Sequence, residues 1–330
     1  MTLHGKLRPA IVRTIASTGM AVFMAGAASA EDLTIGALYL DAQGFYGGIK
    51  KGIEAGAGDE SVRLLGQNSQ GDAAKEAQFA STLISSKVGA IIMSPVSATA
   101  SVPVVKQAAE AGIPVVCYNT CVNDEDAKKY VKALVTTDQY KLGYDVGLVA
   151  GDYFKGKGID KPRFGILNCD VYEACVQRKA GFKKAVEEKV PGVEWAADQA
   201  GFEPGKSTET ATTMLTGDMA INAMFATTDN GTIGAIQGIM ASGRQGQAVV
   251  FGNDISVQLA QYLINAPETL IATNGQQPQQ MGKDSVRIAL KAIKGEAVDS
   301  YLTIVPTEMF LSSDPEKVKS WLEARPDGIP

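Results

Sequence analysis

An α/β protein with two similar doubly wound parallel-sheet lobes is the fold class this sequence predicts, and three observations predict it. From residue 31 onward, short β-branched or apolar runs alternate with longer runs of helical period, the mark of β-α-β units. The alternation recurs too often for one small sheet. The 330 residues, 45% apolar and 20% charged, suit a water-soluble globular chain, and lobes of roughly 130 to 150 residues are of ordinary domain size.

The first thirty residues stand outside this pattern. Lys6, Arg8 and Arg13, with no acidic residue, precede a mostly apolar, small-residue run over 15–27, and Ala28-Ser29-Ala30 has the A-x-A form of a signal-peptidase site. A signal peptide over 1–30, cleaved after Ala30, is expected. The apolar run is too short and too rich in Ala, Gly and Ser for a good membrane anchor, and no later segment reaches spanning length.

Residues 34–40 then read as a strand, 47–57 as a helix and 62–65 as a strand. Gly71-Asp72 opens a helix with Ala73, Ala77, Ala80 and Ile84 on one face. A buried-type strand over 88–93, a helix over 100–111 and a strand over 114–118 follow. Residues 123–129 form a more polar segment. Asp138 then looks like the cap of a helix presenting Leu142, Val146, Val149 and Tyr153. The second series has strands over 163–168, 193–196, 223–226, 248–251 and 270–272, with helices over 176–188, 206–215, 232–241 and 257–263 between them. The stretch 273–282, TNGQQPQQMG, is polar and carries four glutamines. Ser313-Asp314-Pro315 starts a last helix whose Val318, Trp321 and Leu322 form a docking stripe, with Trp321 as a packing residue.

Composition excludes several functions. Of 31 basic and 36 acidic residues, Lys6, Arg8 and Arg13 go with the leader, leaving 28 against 36 and a net charge of −8; this disfavours nucleic acid or an anionic membrane as partner. The one histidine, His4, is in the leader. A mature chain without histidine cannot run a Ser-His-Asp or Cys-His relay and lacks the commonest zinc ligand. Cys117, Cys121, Cys169 and Cys175 allow three disulfide connectivities; spacing favours the local pairs, and a four-thiolate metal site is the alternative, without the tight C-x2-C form. Residues 200–207, AGFEPGKS, match a loosened phosphate loop, but 196–199 make a poor strand end before it, and Gly44-Phe45-Tyr46-Gly47 lacks dinucleotide-loop spacing. No cofactor is called for.

Ligands of open parallel sheets bind beyond the carboxyl ends of the strands. Residues at those positions include Gln43, Phe45, Tyr46, Asn119, Thr120, Arg178, Phe202, Thr228, Asp229, Asn253, Asp254 and Gln276. Aromatic faces with planar amides, carboxylates and one guanidinium suit a sugar or polyol, whose C–H faces stack while its hydroxyls are held in pairs. Singly, each has an ordinary explanation. Phe45, Tyr46 and Phe202 suit a core, Asp229 and Asp254 suit helix caps, and Arg178 suits a solvated helix face.

Six segments, in order, carry a family likeness: TIGALYLDAQGFYGGIKKG (34–52), AGIPVVCYNTC (111–121), VQRKAGFKKAV (176–186), AMFATTDNGTIGAIQ (223–237), VVFGND (249–254) and IATNGQQPQQMG (271–282). Over essentially the whole mature chain they resemble the periplasmic sugar-binding proteins of ABC transporters, in the ribose-binding-protein-like branch. The resemblance implies the type I periplasmic binding protein fold, with a three-crossover hinge joining an N-terminal lobe (31–137 and 276–302) to a C-terminal lobe (138–275 and 303–330). It implies a periplasmic monomer that is not an enzyme and that delivers a neutral monosaccharide or polyol to an ABC permease. Gln43, Phe45 and Tyr46 match first-loop contacts, Arg178 the arginine before Gly181-Phe182, Phe202 a stacking phenylalanine, Asp254 a ligand carboxylate and Gln276 the hinge glutamine. Thr228 falls on the family's asparagine, beside Asp229. Asn119-Thr120 replace an Asp-Arg pair and Asn253 replaces an aromatic, departures that speak against ribose itself. Two local disulfides would stiffen the facing walls. Alternatives are a sugar sensor for a chemoreceptor or sensor kinase, an amino-acid or amide binding protein, and an exported hydrolase using Asp229 and Asp254. A lactose-repressor-type protein shares the lobes but needs a DNA-binding headpiece in place of the leader.

Overall fold

The computed structural model describes residues 1, 2, 5 and 33–330. The expected leader and its cleavage after Ala30 lie outside the described residues. The first five strands are β1 (Thr34–Tyr39), β2 (Arg63–Asn68), β3 (Ala90–Met93), β4 (Val115–Tyr118) and β5 (Ala133–Thr136). The next are β6 (Arg163–Asn168), β7 (Glu194–Ala200), β8 (Ala223–Ala226), β9 (Val249–Gly252) and β10 (Leu270–Gly275), followed by β11 (Leu302–Ile304) and β12 (Glu308–Leu311). They form two six-stranded sheets, ordered β11-β5-β4-β3-β1-β2 and β12-β10-β9-β8-β6-β7. The second order repeats the first strand for strand. All pairings are parallel except that of β12 with β10.

Between the strands run α1 (Gly44–Asp59), α2 (Ala73–Ser85), α3 (Val102–Glu110), α4 (Asp124–Tyr130), α5 (Gln139–Gly156) and α6 (Glu173–Lys189). The remaining helices are α7 (Lys206–Gly217), α8 (Asp229–Ala241), α9 (Val257–Asn265), α10 (Pro278–Ile293) and α11 (Pro315–Glu323). Central strands such as β3, β4, β8 and β9 are buried on both faces, which is why they read as unbroken apolar runs. Each sheet has a core on both faces. Ile35, Ile92 and Val116 pack with Met281 and Ile288 of α10 on one side of the first sheet, and Leu38 and Ile91 with Leu83 and Val105 on the other.

The chain crosses between the sheets three times: from β5 to α5, from β10 to α10, and from β11 to β12. Thr303 and Ile304 pair with Val135 and Thr136 of the first sheet, so the third crossing begins after the expected boundary at 302.

Four local expectations need correction. Residues 123–129 are mostly helix α4 and not a mere polar segment: Asn123 caps it by accepting from Asp126 N at 3.1 Å, acidic residues open it and Lys128 and Lys129 close it. Charge and capping stabilise this helix, so its apolar periodicity is faint. Residues 273–275 continue β10, and Pro278 starts α10, leaving only Gln276 and Gln277 as the connection. Strands β11 and β12 are three and four residues long, too short to announce themselves. Finally, 196–199 lie inside strand β7, so a strand does precede AGFEPGKS. It is a half-exposed edge strand, Lys206 pairs outward with Glu209 at 3.1 Å, and buried Ser207 donates to Glu203 O at 2.6 Å, which leaves no phosphate cradle. Trp321 packs edge-on against Phe310, as a packing residue should.

Candidate functional site

At the carboxyl ends of both sheets the internal repeat builds the same backbone device twice. Asn119 follows β4 and Asp254 follows β9, two residues on, in equivalent strands, and both are left-handed, with φ of 59° and 66°. Asn and Asp tolerate this conformation better than most residues, although it is strained. In each case a threonine of the next strand holds the carbonyl: Thr136 Oγ1 donates to Asn119 O at 2.8 Å, and Thr273 Oγ1 to Asp254 O at 2.6 Å. The two side chains are thereby turned out of the strand ends.

Around Asp254 the side chains close a ring. Arg178 of α6 donates through Nη1 to Asp254 Oδ2 at 2.8 Å and to Thr227 O at 2.8 Å, and through Nε to Gln139 Oε1 at 2.8 Å. Gln139 donates to Gln276 Oε1 at 3.4 Å, and Gln276 donates to Asp254 Oδ1 at 2.9 Å. The ring joins the first crossing at Gln139 to the second at Gln276. Gln277 adds the third by donating to Pro306 O at 3.0 Å. Two of the four glutamines of 273–282, Gln276 and Gln277, therefore tie the crossings together, and Gln276 also lines the cavity beside them.

That cavity, of about 130 Å³, is lined by Phe45 from the first lobe, Asp229 and Asp254 from the second, Gln276 and Pro278 from the connection, and by Gly328 and Pro330. Burial pushes the Asp229 carboxyl above its ordinary value and nearby Asp254 pushes the same way; the Asn230 N–H and Arg178 pull it back. A carboxyl with a raised folded-state pKa costs stability when ionised: nothing while both states are protonated, more as pH climbs through the raised value, and the full amount above it. Asp229→Asn should therefore melt higher than the parent at pH 7, with the difference vanishing as pH falls below the usual carboxylate range. Melting curves across that range check this, and an equal or lower melting temperature at pH 7 would contradict it.

Other expected residues sit elsewhere. Tyr46 accepts a hydrogen bond from Asn119 Nδ2 at 3.0 Å, and burial holds its hydroxyl above its ordinary pKa, with Tyr172 of the second lobe adding to the rise. Thr120 pairs with Ser94 at 3.0 Å. Phe202 packs edge-on against Tyr172, ring centres 5.9 Å apart. Thr228 caps α8, accepting from Gly231 N at 3.1 Å. Gln43 is exposed at the start of α1, with no side-chain cap bond. Asn253 is wholly buried and donates to Asn274 Oδ1 at 2.9 Å, and it is not among the residues lining the cavity beside Gln276.

The cysteines pair locally, Cys117 with Cys121 and Cys169 with Cys175. The first loop carries Asn119 and Thr120, and the second carries Tyr172. Gln139, Tyr172 and the segment around Gly328 escaped the sequence reading. Only Gln139 had a local signal, its place just after the Asp138 cap, which accepts from Lys141 N at 2.9 Å.

Residues 37–297 match the model of a periplasmic binding protein domain. The chain belongs to the periplasmic binding protein family. Among its relatives, the ABC transporter periplasmic-binding protein YphF of Escherichia coli strain K12 is 36% identical over 305 residues, 92% of each chain. The ribose import binding protein RbsB of Bacillus subtilis strain 168 is 27% identical, over 78% of this chain and 81% of its own. Of solved structures, a periplasmic solute-binding protein from Actinobacillus succinogenes with bound D-allose superposes with a TM-score of 0.76 at 23% identity, over 86% of this chain and 99% of that one. A solute-binding protein from Bacillus halodurans with bound myo-inositol gives 0.73 at 23% identity, over 88% and 97%. The fold is thus that of ABC-transporter solute-binding proteins, a family of binding proteins and not of enzymes. Among the described residues, no helix is long and apolar enough to cross a membrane.

Proposed function

We propose that this periplasmic binding protein holds a neutral monosaccharide or polyol between its lobes and hands it to an ABC permease. The observation that carries this is the cavity at the crossings, whose lining brings Phe45 together with Asp229, Asp254 and Gln276. A ring C–H face and paired hydroxyls fit that set. A volume of about 130 Å³ lies well below the roughly 300–1,000 Å³ of drug-sized pockets, in keeping with one sugar ring. Two carboxylates against one guanidinium oppose an anionic ligand. Relatives named for ribose and structures holding D-allose or myo-inositol support the same class.

Hinge closure around a ligand is established for periplasmic binding proteins as a class. Here the lobes, divided as expected except that residues 303 and 304 go with the first sheet, would close about the glutamine-tied crossings. A catalytic role is not part of this reading, since both Asp254 oxygens already accept hydrogen bonds, from Arg178 and Gln276. Recovery of unaltered ligand after prolonged incubation tests that point. The protein acts as a monomer exported by cleavage after Ala30, which sedimentation and intact mass of the periplasmic product will check. Delivery to a chemoreceptor would show as signalling that persists when the permease is deleted.

A thermal-shift screen of the mature protein against pentoses, hexoses, alditols, inositols and amino acids tests the ligand class. Ligand at a hundred times its dissociation constant stabilises by about 2.7 kcal/mol. Shifts with one or a few polyhydroxy compounds are expected. Shifts with amino acids alone, or with nothing, would overturn the sugar reading.

A further inference from the structure

The segment after α11 spans the two lobes. Its root is in the second lobe, where Val318 and Trp321 are buried in the core with Phe310. Arg325 then folds back over the Trp321 ring, 4.4 Å from its centre, and donates to Trp321 O at 3.0 Å. Gly328 N donates to Arg325 O at 2.9 Å, and Gly328 adopts φ of 73°. From there the chain lies on α1 of the first lobe. Asp327 pairs with Lys51, and Gln279 of α10 donates to Pro330 O at 3.4 Å.

The seat is cut for it. A Cβ on Gly47 would stand 3.3 Å from Ile329 Cγ2, and one on Gly48 would stand 2.2 Å from Pro330 O. Adjacent glycines inside a helix cost stability relative to alanine. Gly48 leaves room for Pro330 O and also for Pro278 Cγ, 2.7 Å from the added Cβ. Gly328 and Pro330 are also part of the cavity wall, Pro330 lying beside the connection at Pro278.

We propose that residues 327–330 are an interlobe strap, rooted in the second lobe and seated on α1 of the first, which forms one wall of the ligand cavity and biases the ligand-free protein toward closure. Contacts that exist without ligand raise the fraction of closed protein, and apparent affinity scales with that fraction. The strap also bounds the cavity on that side, so it helps to set ligand size. The inference rests on the two-lobe closure of the proposed function, but not on the identity of the ligand.

Small-angle X-ray scattering of the ligand-free mature protein tests it, using Lys51→Asp, Asp327→Lys, the double reversal, and Gly48→Val, which crowds both the strap at Pro330 and Pro278 beside it. The Lys51–Asp327 pair is partly exposed, so each single reversal should shift the open-to-closed ratio by at most about fivefold. The double reversal should return it to the parent value. Gly48→Val should open the particle at least as far as a single reversal. Parental scattering from all four variants, with parental unfolding curves, would overturn the strap. So would single reversals that open the particle but are not restored by the double reversal. If no sugar binds in the screen while these shifts appear, the ligand class fails and the strap stands; sugar binding with unchanged scattering has the opposite meaning.

Discussion

Arg178→Ala should lower ligand affinity about a hundredfold and destabilise the fold by about 3 kcal/mol, measured by calorimetric titration with the sugar found in the screen and by urea unfolding. The Arg178 side chain is 8% exposed and that of Asp254 24%. Removing the guanidinium leaves Asp254 beside Asp229 with its salt-bridge partner gone, and strands the acceptors Gln139 Oε1 and Thr227 O. Breaking a buried pair from one side costs about 3–5 kcal/mol, and the partial exposure of Asp254 places this case at the lower end. Arg178→Lys should not rescue binding, because one ammonium cannot reach Gln139, Thr227 and Asp254 together in the planar geometry of the fork. A loss below tenfold in affinity, or below about 1 kcal/mol in stability, would mean that the ring of Arg178, Gln139, Gln276 and Asp254 does not organise the site.

Strands and helices that bury an apolar face were legible because their period reports which side is covered; β6 and β8 were read to the residue. What was not legible depends on partners far away in sequence. Strands β11 and β12 exist because the third crossing brings residues 302–304 beside β5 and 308–311 beside β10. In the site, the rule that ligands gather beyond strand ends found Phe45, Asp229, Asp254 and Gln276. It could not separate Asp254 from Asn253: neighbours at a strand end point to opposite sides, and the left-handed turn that aims Asp254 is set by Thr273, in another strand. Nor could it give a role to Gln139, whose duty appears only when two crossings lie side by side. Arg178 shows the same limit from the other direction. On a helix with mostly polar neighbours it looks solvated, yet it is buried because α5 and α6 approach unusually closely.

That approach yields the second large effect. Gly143, Gly147 and Gly151 recur every four residues along α5, and a Cβ on Gly143 would stand 1.8 Å from the carbonyl oxygen of Arg178. Across the same contact, a Cβ on Gly181 would stand 2.1 Å from Tyr140 O. The first lobe repeats the arrangement: a Cβ on Gly52 would stand 2.0 Å from Gln279 O, and one on Gly282 would stand 2.3 Å from Ile49 O. Backbone cannot swing aside as a side-chain tip can, so the added methyl must push α6 away and take Arg178 off Gln139. Gly143→Ala should therefore destabilise by about 3 kcal/mol in urea unfolding and weaken ligand binding as well. By helix propensity alone the same change should stabilise by up to about 1 kcal/mol. Gly58 of α1 supplies the contrast, since a Cβ there meets nothing within 4 Å. Gly58→Ala should be neutral or stabilising and leave binding untouched. If the two substitutions move stability in the same direction, close helix packing is not what positions Arg178; if they move it in opposite directions, the glycine spacing of α5 belongs to the binding site as much as the side chains that touch the ligand.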